Sequence, residues 1–136
     1  MEVLDYLINY IKTDIAPSPI HGIGTFALRD MEVGEEVFTK WDGDTRIHTL
    51  TFEEFDSLPI YTQKLILKSY ENRRDEYPVI WFRLFKGSYF NLSNPWAYTN
   101  TAEINGNVDS EKRIVIKPIK AGEEILGTYT LKNTII

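Results

Sequence analysis

The chain has 136 residues, with 15 Lys and Arg against 20 Asp and Glu, a formal net charge of −5. That balance argues against a general nucleic-acid binder, which needs a basic stripe to displace counterions from phosphates. A hydrophobic fraction of 43% argues against disorder, and the absence of cysteine excludes disulfides, cysteine nucleophiles and Cys-based zinc sites. The length predicts one domain, residues 1–136.

Val3, Leu4, Leu7, Ile8 and Ile11 fall at helical spacing and predict an amphipathic helix over residues 2–12, within an N-terminal segment 1–14. Its apolar face makes it a candidate for contact with a second copy of the chain. The start, Met1-Glu2-Val3-Leu4-Asp5, lacks the basic residues of a secretory signal. No apolar run reaches the ~20 residues of a membrane span, so a cytoplasmic location without membrane contact is expected.

Pro17 and Pro19 introduce an extended stretch, the beginning of a strand region over 15–50. "GTFALRDMEVGEEVF" (residues 24–38) reads as strand, turn at Gly34, strand. Asp42-Gly43-Asp44 lacks the remaining ligands of a calcium loop and reads as a turn. A helical insert over 51–78 follows. Thr51 and Glu54 form a capping box, Leu50 and Phe55 a hydrophobic staple, and a helix over 52–58 should stop at Pro59. "IYTQKLILKSYENRR" predicts a second helix.

The remaining segment, 79–136, begins with "VIWFRLFKGSYF", read as a hairpin broken at Lys86-Gly87. "NLSNPWAYTN" is loop by composition, with Trp81 and Trp96 expected in the core. "RIVIKPIKAGEEILGTY" (residues 113–129) repeats the earlier strand, turn and strand, with its turn at Gly122. The phrases "MEVGEEVF" and "IKAGEEIL" thus recur 88 positions apart, and predict similar units packed around a helical insert. His21 and His48, the two histidines, lack metal-ligand spacing and read as loop or surface residues; no metal site is expected.

Three segments in order carry a family resemblance: Gly22-Ile23-Gly24 before Phe26-Ala27, Asn91-Leu92-Ser93 in "YFNLS", and "IKAGEEILGTY" ending in Tyr129. Together they resemble the SET domain, the protein-lysine methyltransferases that use S-adenosylmethionine. The resemblance spans roughly residues 15–130. It implies a mainly β, β-clip-like fold of several small sheets with a helical insert. It also implies methyl transfer to a lysine amine of a protein partner, and the acids clustered at Asp42, Asp44, Glu53, Glu54 and Asp56 lead to the expectation that this partner is basic. Gly22, Ile23 and Gly24 would then hold the cofactor's methionine part, Asn91 and Leu92 its other contacts, and Tyr129 would serve the transfer centre as catalytic and cofactor-binding residue. The chain departs from the family pattern where histidine is expected and Leu92 stands, and Asn100 takes the place of the family's later asparagine. Residues 130–136 contain neither the cysteine nor the aromatic residue that often closes the lysine channel. The alternative implied by those departures is an inactive SET-like module that binds protein.

Overall fold

The computed structural model describes residues 1–90, 95–102 and 105–128. Among them, short strands form three small sheets, with few helices and much connecting coil. The chain divides into two compact units, one built from Met1–Ile11 and Thr39–Ser93 and the other from Lys12–Phe38 and Asn94–Ile136. No helix among the described residues is long and apolar enough to cross a membrane.

The first unit opens with α1 (Val3–Asn9), shorter than the predicted 2–12. Its last turn has no basic residue to favour the helix end, and Tyr10 closes it by donating its amide to the Tyr6 carbonyl. Tyr6 and Leu7 are fully buried within this unit. The Tyr6 hydroxyl donates to the Thr39 carbonyl at 2.9 Å, and burial pushes its pKa upward. Trp41 is buried against Tyr6 and donates its indole N–H to the Asp44 carbonyl, closing the expected turn. Gly43 is required there because a Cβ would come within 2.2 Å of the Trp41 ring.

Strand β3 (Arg46–Leu50) leads into α2 (Phe52–Asp56), where both halves of the predicted capping box form. Leu50 and Phe55 are buried, as a staple requires. Pro59 then acts as the N-cap of α3 (Ile60–Ser69), which ends at the extended Tyr70, before the predicted limit.

Strand β4 (Ile80–Leu84) overturns the predicted hairpin, because it pairs antiparallel with β3, from Arg46↔Leu84 to Leu50↔Ile80. Gly87, at φ +79°, turns the chain back toward Trp41 instead: the Gly87 amide donates to the Trp41 carbonyl and the Trp41 amide to that of Ser88. Pairing with β3 buries alternate residues of β4 (Ile80, Phe82, Leu84) against those of β3 (His48, Leu50). His48 is therefore a core residue and not a surface one, stacked on Phe82 and edge-on to Trp41.

In the second unit, β1 (Thr13–Pro17) and β2 (Ile23–Ala27) form an antiparallel pair, so extended chain starts before the prolines. A 3₁₀ turn (Pro95–Tyr98) precedes β5 (Asn100–Thr101), which with β6 (Val108–Asp109) flanks β7 (Leu126–Thr128), both in parallel.

The repeated phrase has a geometric explanation inside this unit. Gly34 and Gly122 adopt φ of +94° and +90°, a conformation that costs glycine little. The flanking arms do not fold into two separate hairpins as predicted; each copy bonds to the other. Met31 and Ile119 exchange reciprocal amide–carbonyl bonds of 2.7 and 2.9 Å. Gly34 donates to Val115 as Gly122 donates to Ala27, and Val115 donates to Glu35 as Ala27 donates to Glu123. Val37 donates to Arg113 as Ile125 donates to Thr25. In every pair the partners differ by the same 88 positions, so a local two-fold relation passes between Met31 and Ile119. Even the turn carboxylates match: Glu35 accepts from the Glu32 amide, and Glu123 from the Lys120 amide.

Candidate functional site

The symmetry ends at the second glutamate of each phrase. Glu36 is exposed, and its backbone carbonyl accepts from the Lys12 ammonium at 3.0 Å. Its counterpart, Glu124, is half-buried and turns its carboxylate toward the loop between β1 and β2. The Ser18 hydroxyl donates to that carboxylate, 2.8 and 2.9 Å from its two oxygens. The Asn100 side-chain amide donates to Glu124 Oε2 at 2.8 Å and to the His21 carbonyl at 3.0 Å.

Within the loop, the Ser18 amide donates to the Gly22 carbonyl at 2.8 Å, while the amides of Ile20 and His21 donate to Ser18 Oγ at 3.0 and 3.3 Å. One hydroxyl, one carboxamide and one carboxylate therefore fix the backbone of residues 18–24. Charge-assisted bonds of this kind are stronger than neutral ones.

The two predicted glycines serve different ends. Gly22 is exposed at φ +48°, with nothing within 4 Å of where a Cβ would stand. Gly24 is buried, and a Cβ there would lie 2.4 Å from Glu124 Oε2. Its bare side thus admits the carboxylate. Ile23 lies between them and is 49% exposed, close to Ile20 at 57%.

The adjoining wall is aromatic and hydroxylic. Thr25 Oγ1 is 3.0 Å from Thr99 Oγ1, and Trp96 meets Phe38 edge-on beneath the Arg113 guanidinium. A Cβ on Gly127 would stand 3.1 Å from the Trp96 ring, so glycine lets β7 run close to it. Asn107 accepts from the Leu126 amide at 2.7 Å and donates to the Glu124 carbonyl at 2.9 Å, fixing the strand that leads to Tyr129.

Of the residues the sequence singled out, Gly22, Ile23 and Gly24 sit together in this loop, joined by Asn100. Asn91, Leu92 and Tyr129 lie outside the described residues. Sequence reasoning missed Ser18 and Glu124. The signal for Glu124 was the second glutamate of the repeated phrase, but only the contact with a residue 106 positions away distinguishes it from Glu36. No group of three or more His, Asp or Glu residues capable of holding a metal occurs among the described residues. The carboxylate is bonded to two side chains, and the cluster holds the backbone of the loop in a fixed shape.

No family model and no curated protein sequence matches the chain. Among solved structures it is similar to the crystal structure of a candidate histone methyltransferase from Plasmodium falciparum. That similarity has 16% identity, covers 88% of this chain and 94% of the other, and gives a TM-score of 0.38. Similarity of that degree assigns neither family nor activity.

Proposed function

We propose that this protein is an S-adenosylmethionine-dependent methyltransferase acting on the lysine side chain of a protein partner. The observation that supports this reading most is the hydrogen-bonded loop 18–24. The Gly-Ile-Gly segment is held by Glu124, from the second of the repeated phrases, and by Asn100, from the loop before it. Two of the three segments that resemble SET motifs, Gly22-Ile23-Gly24 and the phrase containing Glu124, thus lie side by side.

The fit to the cofactor rests on Gly22. Its open side leaves the backbone approachable, and the exposed Ile20 and Ile23 give an apolar rim. Gly22, Ile23 and Gly24 would hold the methionine part, with Asn91 and Leu92 contributing further contacts. The cofactor supplies a methyl group activated on a sulfonium. When bound, it would supply that methyl to a neutral lysine amine, the C–N bond forming as the C–S bond breaks, with S-adenosylhomocysteine as the leaving group and the amine's extra proton lost to water.

A free lysine, with a pKa of ~10.4, is almost wholly protonated at neutral pH. The site must therefore favour the neutral amine by desolvation, with Tyr129 orienting it and alignment supplying most of the rate.

The partner's basic character is proposed from the acidic stretch 42–56. Several of its acids are engaged: Asp42 pairs with the N-terminal amine at 3.4 Å, Asp56 with Arg74, and Glu54 with the cap. Asp44 and Glu53 stay exposed and could draw a lysine-rich segment.

The test is transfer of labelled methyl from S-adenosylmethionine to lysine-rich proteins, with Tyr129→Phe alongside. Incorporation into lysine that falls at least tenfold in the variant is expected. If Asp44→Asn with Glu53→Gln leaves the substrate KM unchanged at low salt, the steering role is wrong. A second reading, an inactive protein-binding module, is favoured by Leu92 standing where the family pattern has histidine. A folded protein that binds no S-adenosylmethionine would support it over the first.

A further inference from the structure

We infer that Glu124 is a positioning residue for the methyl-donor loop, acting through Ser18 and Asn100 on the backbone of residues 18–24. The inference rests on the methyltransferase reading for the loop's ligand, and on hydrogen bonds alone for the clamp itself.

The local two-fold relation gives an internal control. Glu36 and Glu124 occupy equivalent places in equivalent turns, and their backbones make equivalent bridges, to Ile114 and Phe26. Framework stability asks the same of both positions. Only Glu124 is half-buried against a glycine, with its carboxylate 2.8–2.9 Å from a serine hydroxyl and an asparagine amide. Those contacts all reach one loop.

Each polar atom of the clamp also has a defined task. Ser18 Oγ has one proton, which goes to Glu124, so its lone pairs are left to accept from the Asn100 side-chain amide at 3.1 Å and from the amides of Ile20 and His21. Were the carboxylate absent, the hydroxyl proton would lose its acceptor, and Asn100 alone would be left to hold Ser18 Oγ toward the loop amides. Asn100, with one amide nitrogen, binds both the carboxylate and the His21 carbonyl. Glu124 thereby sets the shape of the segment that ends in the open Gly22.

In sequence it lies two residues before β7 begins and five before Tyr129. A carboxylate is not essential to this role. A carboxamide of the same length keeps an oxygen that can accept from both Ser18 and Asn100.

Two readouts on the full chain test the inference: hydrogen–deuterium exchange over residues 18–24 without ligand, and calorimetric titration with S-adenosylmethionine well below each variant's melting temperature. In Glu124→Ala, loop exchange should rise and Kd should weaken about tenfold or more, as loss of charge-assisted bonds implies. Glu124→Gln should stay within about threefold of wild type on both readouts. Ser18→Ala, which leaves Glu124 in place, should follow Glu124→Ala and serves if that variant does not fold.

Unchanged loop exchange in a folded Glu124→Ala or Ser18→Ala protein overturns the clamp. Faster exchange with an unchanged Kd overturns the positioning role and leaves Glu124 purely structural. If wild type binds no S-adenosylmethionine, the ligand assignment fails, and the positioning role falls with it. The exchange result then still decides whether Glu124 holds the loop.

Discussion

Gly22 and Gly24 are two residues apart and face opposite demands. At Gly24 the bare side is filled by a pinned carboxylate, so Gly24→Ala must displace Glu124 from Ser18 and Asn100. The expected loss is about 1–3 kcal/mol of stability, the usual consequence of leaving buried polar groups unpartnered. At Gly22 there is open space, and only the positive φ resists a side chain. Gly22→Ala should therefore cost roughly 1 kcal/mol. Chemical denaturation of the two variants measures both, and a larger loss at Gly22 would contradict the packing described. The glycines were legible in the sequence as a turn suited to close approach. What approaches Gly24 was not, because Glu124 arrives from 100 positions away.

At the scale of elements, what local chemistry determines was readable. The Thr51–Glu54 capping box spans four residues and forms as expected. The segment 79–90 was misread because its aromatic, β-branched pattern specifies a strand but not a partner. That partner is β3, whose paired residues lie 30 to 38 positions earlier. The recurring phrase was legible as two turns, whereas bonding between the copies depends on closing a long loop. The local two-fold relation makes its own prediction. Gly34→Ala and Gly122→Ala place the same strain in equivalent, open turns, so each should cost about 1 kcal/mol. A difference between them above roughly 1 kcal/mol, measured by denaturant unfolding, would contradict the equivalence of the turns.

For the molecule as a whole, two charged-state preferences shape stability against pH. Burial in the aromatic core holds the pKa of His48 below its ordinary 6.5, and Arg46 acts in the same direction. The unfolded chain then takes up a proton that the folded chain resists. The stability from neutral His48 is complete above about pH 6.5 and is lost as pH falls through the folded value.

Burial works against the charge of Glu35, but the Glu32 amide, the Lys12 ammonium and Arg29 together hold its pKa below the ordinary 4.5. Its contribution is present above about pH 4.5 and fades below. Unfolding free energy should therefore drop in two stages on acidification. His48→Gln, which cannot ionise, should remove the upper stage. An unaltered profile in that variant would contradict the assignment.

The measurement that bears most directly on function is calorimetric titration of the whole protein with S-adenosylmethionine, with Asn91→Ala and Tyr129→Phe as companions. Micromolar binding that weakens in Asn91→Ala is the predicted result. No heat and no thermal stabilisation at millimolar ligand would contradict a methyltransferase and leave the loop 18–24 without its proposed occupant.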